Sequence, residues 1–262
     1  MRAARTCLVL AAGLLAAAAQ AAPCGPFNVS MYEHGALYYR SGEQWAGIDK
    51  DIVEELARRT GCQLNMTRES RVRIWTMLQE GTLDITMSGI ATPERELYGR
   101  FTPYLQTRNL VLVRQEVAPR AASMAQFLAQ PDLKVGVIKS FRHGASYDAW
   151  LDKLRGQGRV YESADYATLL RVFQHGRVHA ILQLTSNVDT LLHDETMRGL
   201  FRAMDWVPKE NVLASMVIAR RLPAEAADRL EQALRAMRED GTMRTILERH
   251  VPSEDTAGML LR

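Results

Sequence analysis

From Phe27 onward, short apolar runs alternate with segments whose apolar residues recur at helical spacing. Phe27–Tyr32 reads as a strand. Asp49 is expected to cap a helix with Ile52, Val53, Leu56 and Ala57 on its apolar face, ended by Gly61. Gln63–Thr67 is the next strand. Ser70 caps a helix through Val72, Trp75, Met77 and Leu78 that closes at Gly81, and Asp84–Ser88 is the third strand. This βαβαβ order predicts an α/β fold with a mostly parallel sheet. After a strand at Leu110–Arg114, Gln115–Pro119 reads as a crossing into a second α/β half. That half has strands at Lys134–Ile138, Val160–Tyr161 and Ala180–Leu184, with helices at Ser146–Leu154 and Tyr166–His175. Phe201–Pro208 reads as the return crossing, followed by a strand at Val212–Ala219 and helices at Pro223–Arg238 and Thr242–Arg249. The expected division is residues 23–114 and 208–262 in a first lobe and 115–207 in a second. The end of the chain is expected to fray.

The segment before Phe27 changes the picture. Arg2 and Arg5 precede an apolar run from Cys7 to Ala19, and small residues lead to Ala22, which reads as a secretory signal cleaved near Ala22. The run is too short to favour a membrane span. Beyond it only Cys24 and Cys62 remain, at the entries to the first and second strands. Parallel neighbours bring those entries to one sheet edge, so a disulfide is expected. Two buried thiols are the alternative, which an export signal argues against. The formal charge is +3, or +1 without Arg2 and Arg5, with no basic block to suggest nucleic-acid binding. His34, His143, His175 and His179 show no compact ligand spacing, so neither a metal nor another cofactor is expected.

A series of short motifs then carries a resemblance. Gly47-Ile48-Asp49-Lys50-Asp51-Ile52, Leu78-Gln79-Glu80-Gly81-Thr82-Leu83-Asp84, Thr92-Pro93-Glu94-Arg95 and Phe101-Thr102-Pro103-Tyr104 follow one another in the first half. Val135-Gly136-Val137, Gly176-Arg177 and Gly241-Thr242-Met243-Arg244-Thr245-Ile246-Leu247 continue the series. In order and spacing the chain resembles solute-binding protein family 3, the periplasmic binding proteins of amino-acid-type ABC transporters. The resemblance implies a two-lobe, type II periplasmic binding fold hinged at two crossings. It also implies a monomer that hands a small ligand to an inner-membrane ABC permease or a sensor, and no enzyme activity. In the family the arginine at the place of Arg95 grips the ligand carboxylate, a role suited to its planar fork of donors. The resemblance implies a ring contact from the loop after the first strand, with Tyr32 first, then Tyr38 or Tyr39. Trp45, Glu33 and His34 lie nearby.

Departures from the family pattern matter as much. Ile90 stands where a Ser or Thr is usual, with Ser88 just upstream. Arg71 replaces the aromatic that opens the second helix. Ser140-Phe141, then Arg142 and His143, replace a Gly-Ser or Gly-Thr pair. Leu184, beside Gln183 and Thr185, replaces the acid that holds a ligand ammonium. The carboxylate clamp is thus kept while the ammonium clamp is lost, and an unpaired buried ammonium is costly. The expected ligand is a small organic acid rather than a standard α-amino acid, held by Arg95, Arg71, Ser88, Tyr32, Ser140, Arg142, His143 and Gln183. The alternative is a dehydratase-like enzyme on the same scaffold, acting on prephenate- or arogenate-type acids, with Glu33 or Glu69 as the acid.

Overall fold

The structure, a computed structural model, describes residues 24–261; the expected signal segment lies outside them. The first half runs β1 (Phe27–Met31), a hairpin β2 (Tyr39–Ser41) and β3 (Gln44–Ala46), then α1 (Ile48–Thr60), β4 (Leu64–Arg68), α2 (Arg71–Glu80), β5 (Ile85–Gly89), α3 (Pro93–Glu96) and β6 (Gly99–Thr107). The second runs β7 (Asn109–Arg114), α4 (Met124–Leu128), β8 (Val135–Ile138), α5 (Ala145–Gly156), β9 (Val160–Ser163), α6 (Tyr166–Gln174), β10 (Ala180–Leu184), α7 (Thr185–His193) and β11 (Phe201–Met204). The chain then returns through β12 (Val212–Ala219), α8 (Ala224–Glu239), α9 (Thr242–Glu248) and α10 (Ser253–Met259).

Two five-stranded sheets result, ordered β4-β1-β5-β12-β6 and β11-β7-β10-β8-β9. The pairs linked by helical crossovers are parallel, β1 with β4 and β5, and β8 with β9 and β10. The strands that enter or leave a lobe run antiparallel. Ser70 Oγ accepts from Arg73 N at 3.3 Å and caps α2 as expected, and Gly81 ends that helix in the left-handed region. Cys24 and Cys62 are bonded, with Cα atoms 4.4 Å apart. The β1–β4 pairing starts beside that bridge, where Gln63 N donates to Cys24 O at 2.8 Å.

Three expectations about the path of the chain need correction. The strand placed at the end of the first lobe, Leu110–Arg114, lies in the second sheet between β11 and β10. The chain therefore changes sheets at Arg108, not within Gln115–Pro119. Phe201–Met204 is an edge strand of the second sheet rather than part of the return, which runs from Asp205 to Asn211. Arg108 Nη1 ties the two crossings together, donating to Asp205 Oδ2 at 2.8 Å and Pro208 O at 3.1 Å. Finally, residues 259 and 260 pack against the first lobe instead of fraying. Met259 is buried, and Leu260 bridges to Leu105 of β6.

The lobes are shut against each other. One buried apolar cluster runs from Leu37, Met87 and Leu105 of the first lobe to Ile138, Phe141 and Leu184 of the second. A separate cluster around Phe127, Tyr147 and Trp150 fills the far face of the second sheet. Between the lobes, Ala36 N donates to Asn187 Oδ1 at 3.1 Å. Gly35 permits this approach. Its φ is +49°, and a Cβ there would sit 2.0 Å from Asn187 Oδ1.

Candidate functional site

Arg71 opens α2 and is 2% exposed. Its guanidinium carbon lies 4.1 Å from the Tyr32 ring centre, 4.9 Å from Phe141 and 5.5 Å from Trp75. Nη2 donates to Ser88 O at 3.0 Å, while Nε has no hydrogen-bond partner among the described residues. No carboxylate among the described residues reaches ion-pair distance. Burial lowers the pKa of this group, and the Tyr32 and Asp49 charges oppose that lowering. A cation held by π faces rather than by an anion still has attraction to offer a negative solute.

Ser88, in β5, has a left-handed backbone with φ +53°. Its Oγ donates to Asp49 Oδ2 at 2.7 Å, its N donates to the Tyr104 hydroxyl at 3.0 Å, and that hydroxyl also donates to Asp49. Asp49 is therefore no helix cap. Gly47 occupies that position, and Asp49 turns inward as the centre of a buried network. Burial pushes its carboxyl up to about 6 against the hydrogen bonds from Tyr104 and Ser88. The Ser88 hydroxyl and the Asp49 carboxylate are thus engaged with each other, leaving the Ser88 carbonyl to Arg71.

Arg95 sits in α3, where Thr92 Oγ1 accepts from Arg95 N at 3.2 Å and Pro93 opens the helix. It is 6% exposed and faces the second lobe. Nη1 donates to Ile90 O at 3.0 Å and Nη2 to Ser140 O at 2.7 Å across the lobe boundary. The guanidinium stacks 3.8 Å from the Trp75 ring centre. Burial first, then the Arg71 and Arg142 charges, bring its pKa down to about 9, so it stays cationic at neutral pH.

On the second lobe, Ser140 is also left-handed, with φ +65°. Such backbone costs about 1–3 kcal/mol in a non-glycine residue. Ser88 and Ser140, the non-glycine residues with positive φ among those described, both border this boundary. Phe141 is buried with its ring 5.1 Å from His34, 6.4 Å from Tyr32 and 4.8 Å from His143. Arg142 lies at the rim, half-exposed, 3.9 Å from Asp148. His143 is fixed in the second lobe. Asn109 Nδ2 donates to His143 O at 2.9 Å, so Asn109 Oδ1 faces His143 Nδ1, also at 2.9 Å. That orientation puts the proton on Nδ1 and leaves Nε2 as a bare acceptor without a partner among the described residues. Gln183 is buried in β10. Its Oε1 accepts from Asn187 Nδ2 at 3.4 Å and its Nε2 has no partner among the described residues.

The structure thus gathers Tyr32, Arg71, Ser88, Arg95 and Ser140 at one boundary, places Arg142 at its edge, and sets His143 behind Phe141. Tyr38 and Tyr39 pack elsewhere. Tyr38 stacks on Trp45 at 4.8 Å, and the Tyr39 hydroxyl meets His250 Nδ1 at 3.3 Å. Glu33 and Glu69 pair with Arg68 and Arg73 at 3.7 and 3.2 Å and line a 200 Å³ cavity beside Arg71. Sequence reasoning did not single out Asp49, Tyr104, Trp75 or Phe141 for the site. Phe141 had a signal, a large ring where the resemblance called for a small residue. Among the described residues no group of His, Cys, Asp and Glu could hold a metal ion.

The buried histidines make stability pH-dependent. Burial holds His34 and His143 down to about 3, aided by the Arg71 charge on His34 and by His34 on His143. Above about pH 6.5 neither state is protonated at these sites. Below it the unfolded chain takes up protons that the folded chain refuses, so stability falls by about 1.4 kcal/mol per pH unit for each histidine. Asp49 acts oppositely between 6 and its ordinary 3.8, where the folded form holds the extra proton. Two against one leaves a net loss. The urea midpoint is expected to drop between about pH 6.5 and 4.5, and a flat profile would contradict buried neutral histidines.

The sequence profile of the bacterial extracellular solute-binding proteins, family 3, matches residues 32–253. No curated protein sequence matches the chain. Among solved structures, a mutant of ArgBP from T. maritima superposes with a TM-score of 0.73 at 15% identity, covering 86% of this chain and 94% of that one. The arginine-, lysine-, histidine-binding protein ArtJ from Geobacillus stearothermophilus gives 0.72 at 17% identity, over 87% and 98%. An ancestral amino acid-binding protein described as a precursor of cyclohexadienyl dehydratase gives 0.72 at 21% identity, over 86% and 95%. At these identities the likeness is one of fold, the two-lobe periplasmic binding type.

Proposed function

This chain belongs to the bacterial extracellular solute-binding proteins, family 3, and we propose that it closes in the periplasm over a small carboxylate-bearing anion and presents it to an inner-membrane ABC permease or a sensor. The observation that carries the anion is the pair Arg71 and Arg95. Both are buried at the lobe boundary and neither has a carboxylate partner among the described residues. The nearby Asp49 is occupied by Ser88 and Tyr104, and the buried Leu184 offers no charge to an ammonium group. Closure is then a population shift driven by contacts to both lobes. Titration calorimetry of the purified protein with small organic acids and the standard amino acids tests this. Micromolar binding is expected from an organic acid, and micromolar binding confined to a plain amino acid would overturn the reading.

A second reading has one observation in its favour. Glu33 and Glu69 line the same cavity as Arg71, which would place an acid beside a bound carboxylate. A dehydratase-like enzyme of this kind would turn over prephenate or arogenate, and absence of turnover by the purified protein removes it.

A further inference from the structure

The deep position between the lobes is filled by the protein's own side chains. The Phe141 ring lies against the Arg71 guanidinium at 4.9 Å and beside Tyr32 and His34. The void left among Tyr32, Ser88, Ile90, Phe141 and Leu184 is about 10 Å³, room for one water at most. Three larger cavities border both lobes, and their charges differ. A 200 Å³ cavity sets Arg68 and Arg71 against Glu33, Glu69 and Asp165. A 370 Å³ cavity has Glu33 and Asp194 with no lysine or arginine. A 430 Å³ cavity has Arg95, Lys139, Arg142 and Arg155 against Glu94 and Glu162, so it alone of the three carries a surplus of positive charge.

Within that cavity the cations are unequally engaged. Arg155 is paired with Asp152 at 2.7 Å and Glu162 at 3.1 Å. Arg142 has only the 3.9 Å contact with Asp148, and Arg95 and Lys139 have no carboxylate partner among the described residues. The charges with no close carboxylate also come from both lobes, Arg95, bonded to the carbonyls of Ile90 and Ser140, from the first and Lys139 and Arg142 from the second. A guest with negative charge at two points would join them across the boundary, whereas a monoanion satisfies one side only.

We infer that the solute carries at least two negative charges and sits in this flanking cavity, bridging Arg95 to Lys139 and Arg142, with Phe141 as the plug that bars the deep position to monoanions and amino acids. The inference rests on the anionic reading above and adds the seat and the charge. Di- and tricarboxylates and phosphate share this chemistry, and the test separates them.

The experiment is calorimetry at low salt with acetate, succinate, citrate, inorganic phosphate and the standard amino acids on the full chain and on Lys139→Ala, Arg142→Ala and Phe141→Gly, with the exposed Arg244→Ala as control. Succinate, citrate or phosphate is expected to bind at least about tenfold more tightly than acetate, and Lys139→Ala and Arg142→Ala each to weaken that binding about tenfold, with the control unchanged. Phe141→Gly is expected to gain acetate binding. If acetate binds as tightly as the others while Lys139→Ala and Arg142→Ala change nothing, the seat is wrong though the anionic reading stands. If no anion binds, the inference falls; if an amino acid binds in their place, the anionic reading falls with it.

Discussion

Arg95→Ala is expected to weaken binding of the carboxylate-bearing solute by about 3 kcal/mol, roughly 100-fold in Kd. Two effects add. The first is loss of a fork of donors whose position is set by the Thr92 cap, the Pro93 start and the Trp75 face. The second is loss of the Nη2 bond to Ser140 O, one of the polar links between the lobes. Arg95→Lys should recover only part of the affinity, because one ammonium cannot span Ile90 O and Ser140 O while also meeting a carboxylate. Calorimetry reads the affinity, and small-angle scattering reads the second effect as a larger radius for the alanine variant. Affinity within threefold of the parent would exclude Arg95 from the solute contact.

Removing the Cys24–Cys62 bridge is the largest expected change in stability. The bridge closes a sequence separation of 38 residues, worth about 4 kcal/mol on the chain-entropy view. Folded geometry should survive its loss, because Phe27 N still donates to Gln63 O at 2.9 Å and β1 still pairs with β4 along five residues. The effect therefore acts through the unfolded chain. A Cys24→Ser, Cys62→Ser double variant is expected to melt roughly 10 °C lower, with a steeper urea dependence because its unfolded state is less compact. An unchanged melting temperature would mean that the bridge does not constrain the unfolded chain.

Much of the fold was legible in the chain. Capping chemistry is local, so Ser70 could be placed from sequence, and α2 begins where that residue requires. The α/β alternation and the family motifs are local too. The sheet that a strand joins is not. Leu110–Arg114 is an apolar run that would suit either lobe, and its place beside β10 and β11 follows from pairing with segments about 70 to 90 residues away. The hairpin β2–β3 and the helix α7 also went unread, the latter because it buries the polar Ser186 and Asn187, exposes Leu192 and lacks a side-chain cap, so its apolar residues do not mark the buried face.

The same division runs through the site. The resemblance to the family announced the retained arginine at position 95, the absent acid at 184 and the odd arginine at 71. The sequence did not reveal that the Asp49 side chain, in the first turn of α1, enters a buried network, since a carboxylate suits a helix N-terminus equally well. Nor did it reveal that the Phe141 ring would lie over Arg71 and move free space to the flank. Local chemistry decides which backbone a segment prefers and what its side chains can donate or accept. Which of those groups meet, and which lose water, depends on surfaces brought together from distant parts of the chain, and burial sets their charge and reach only after that meeting.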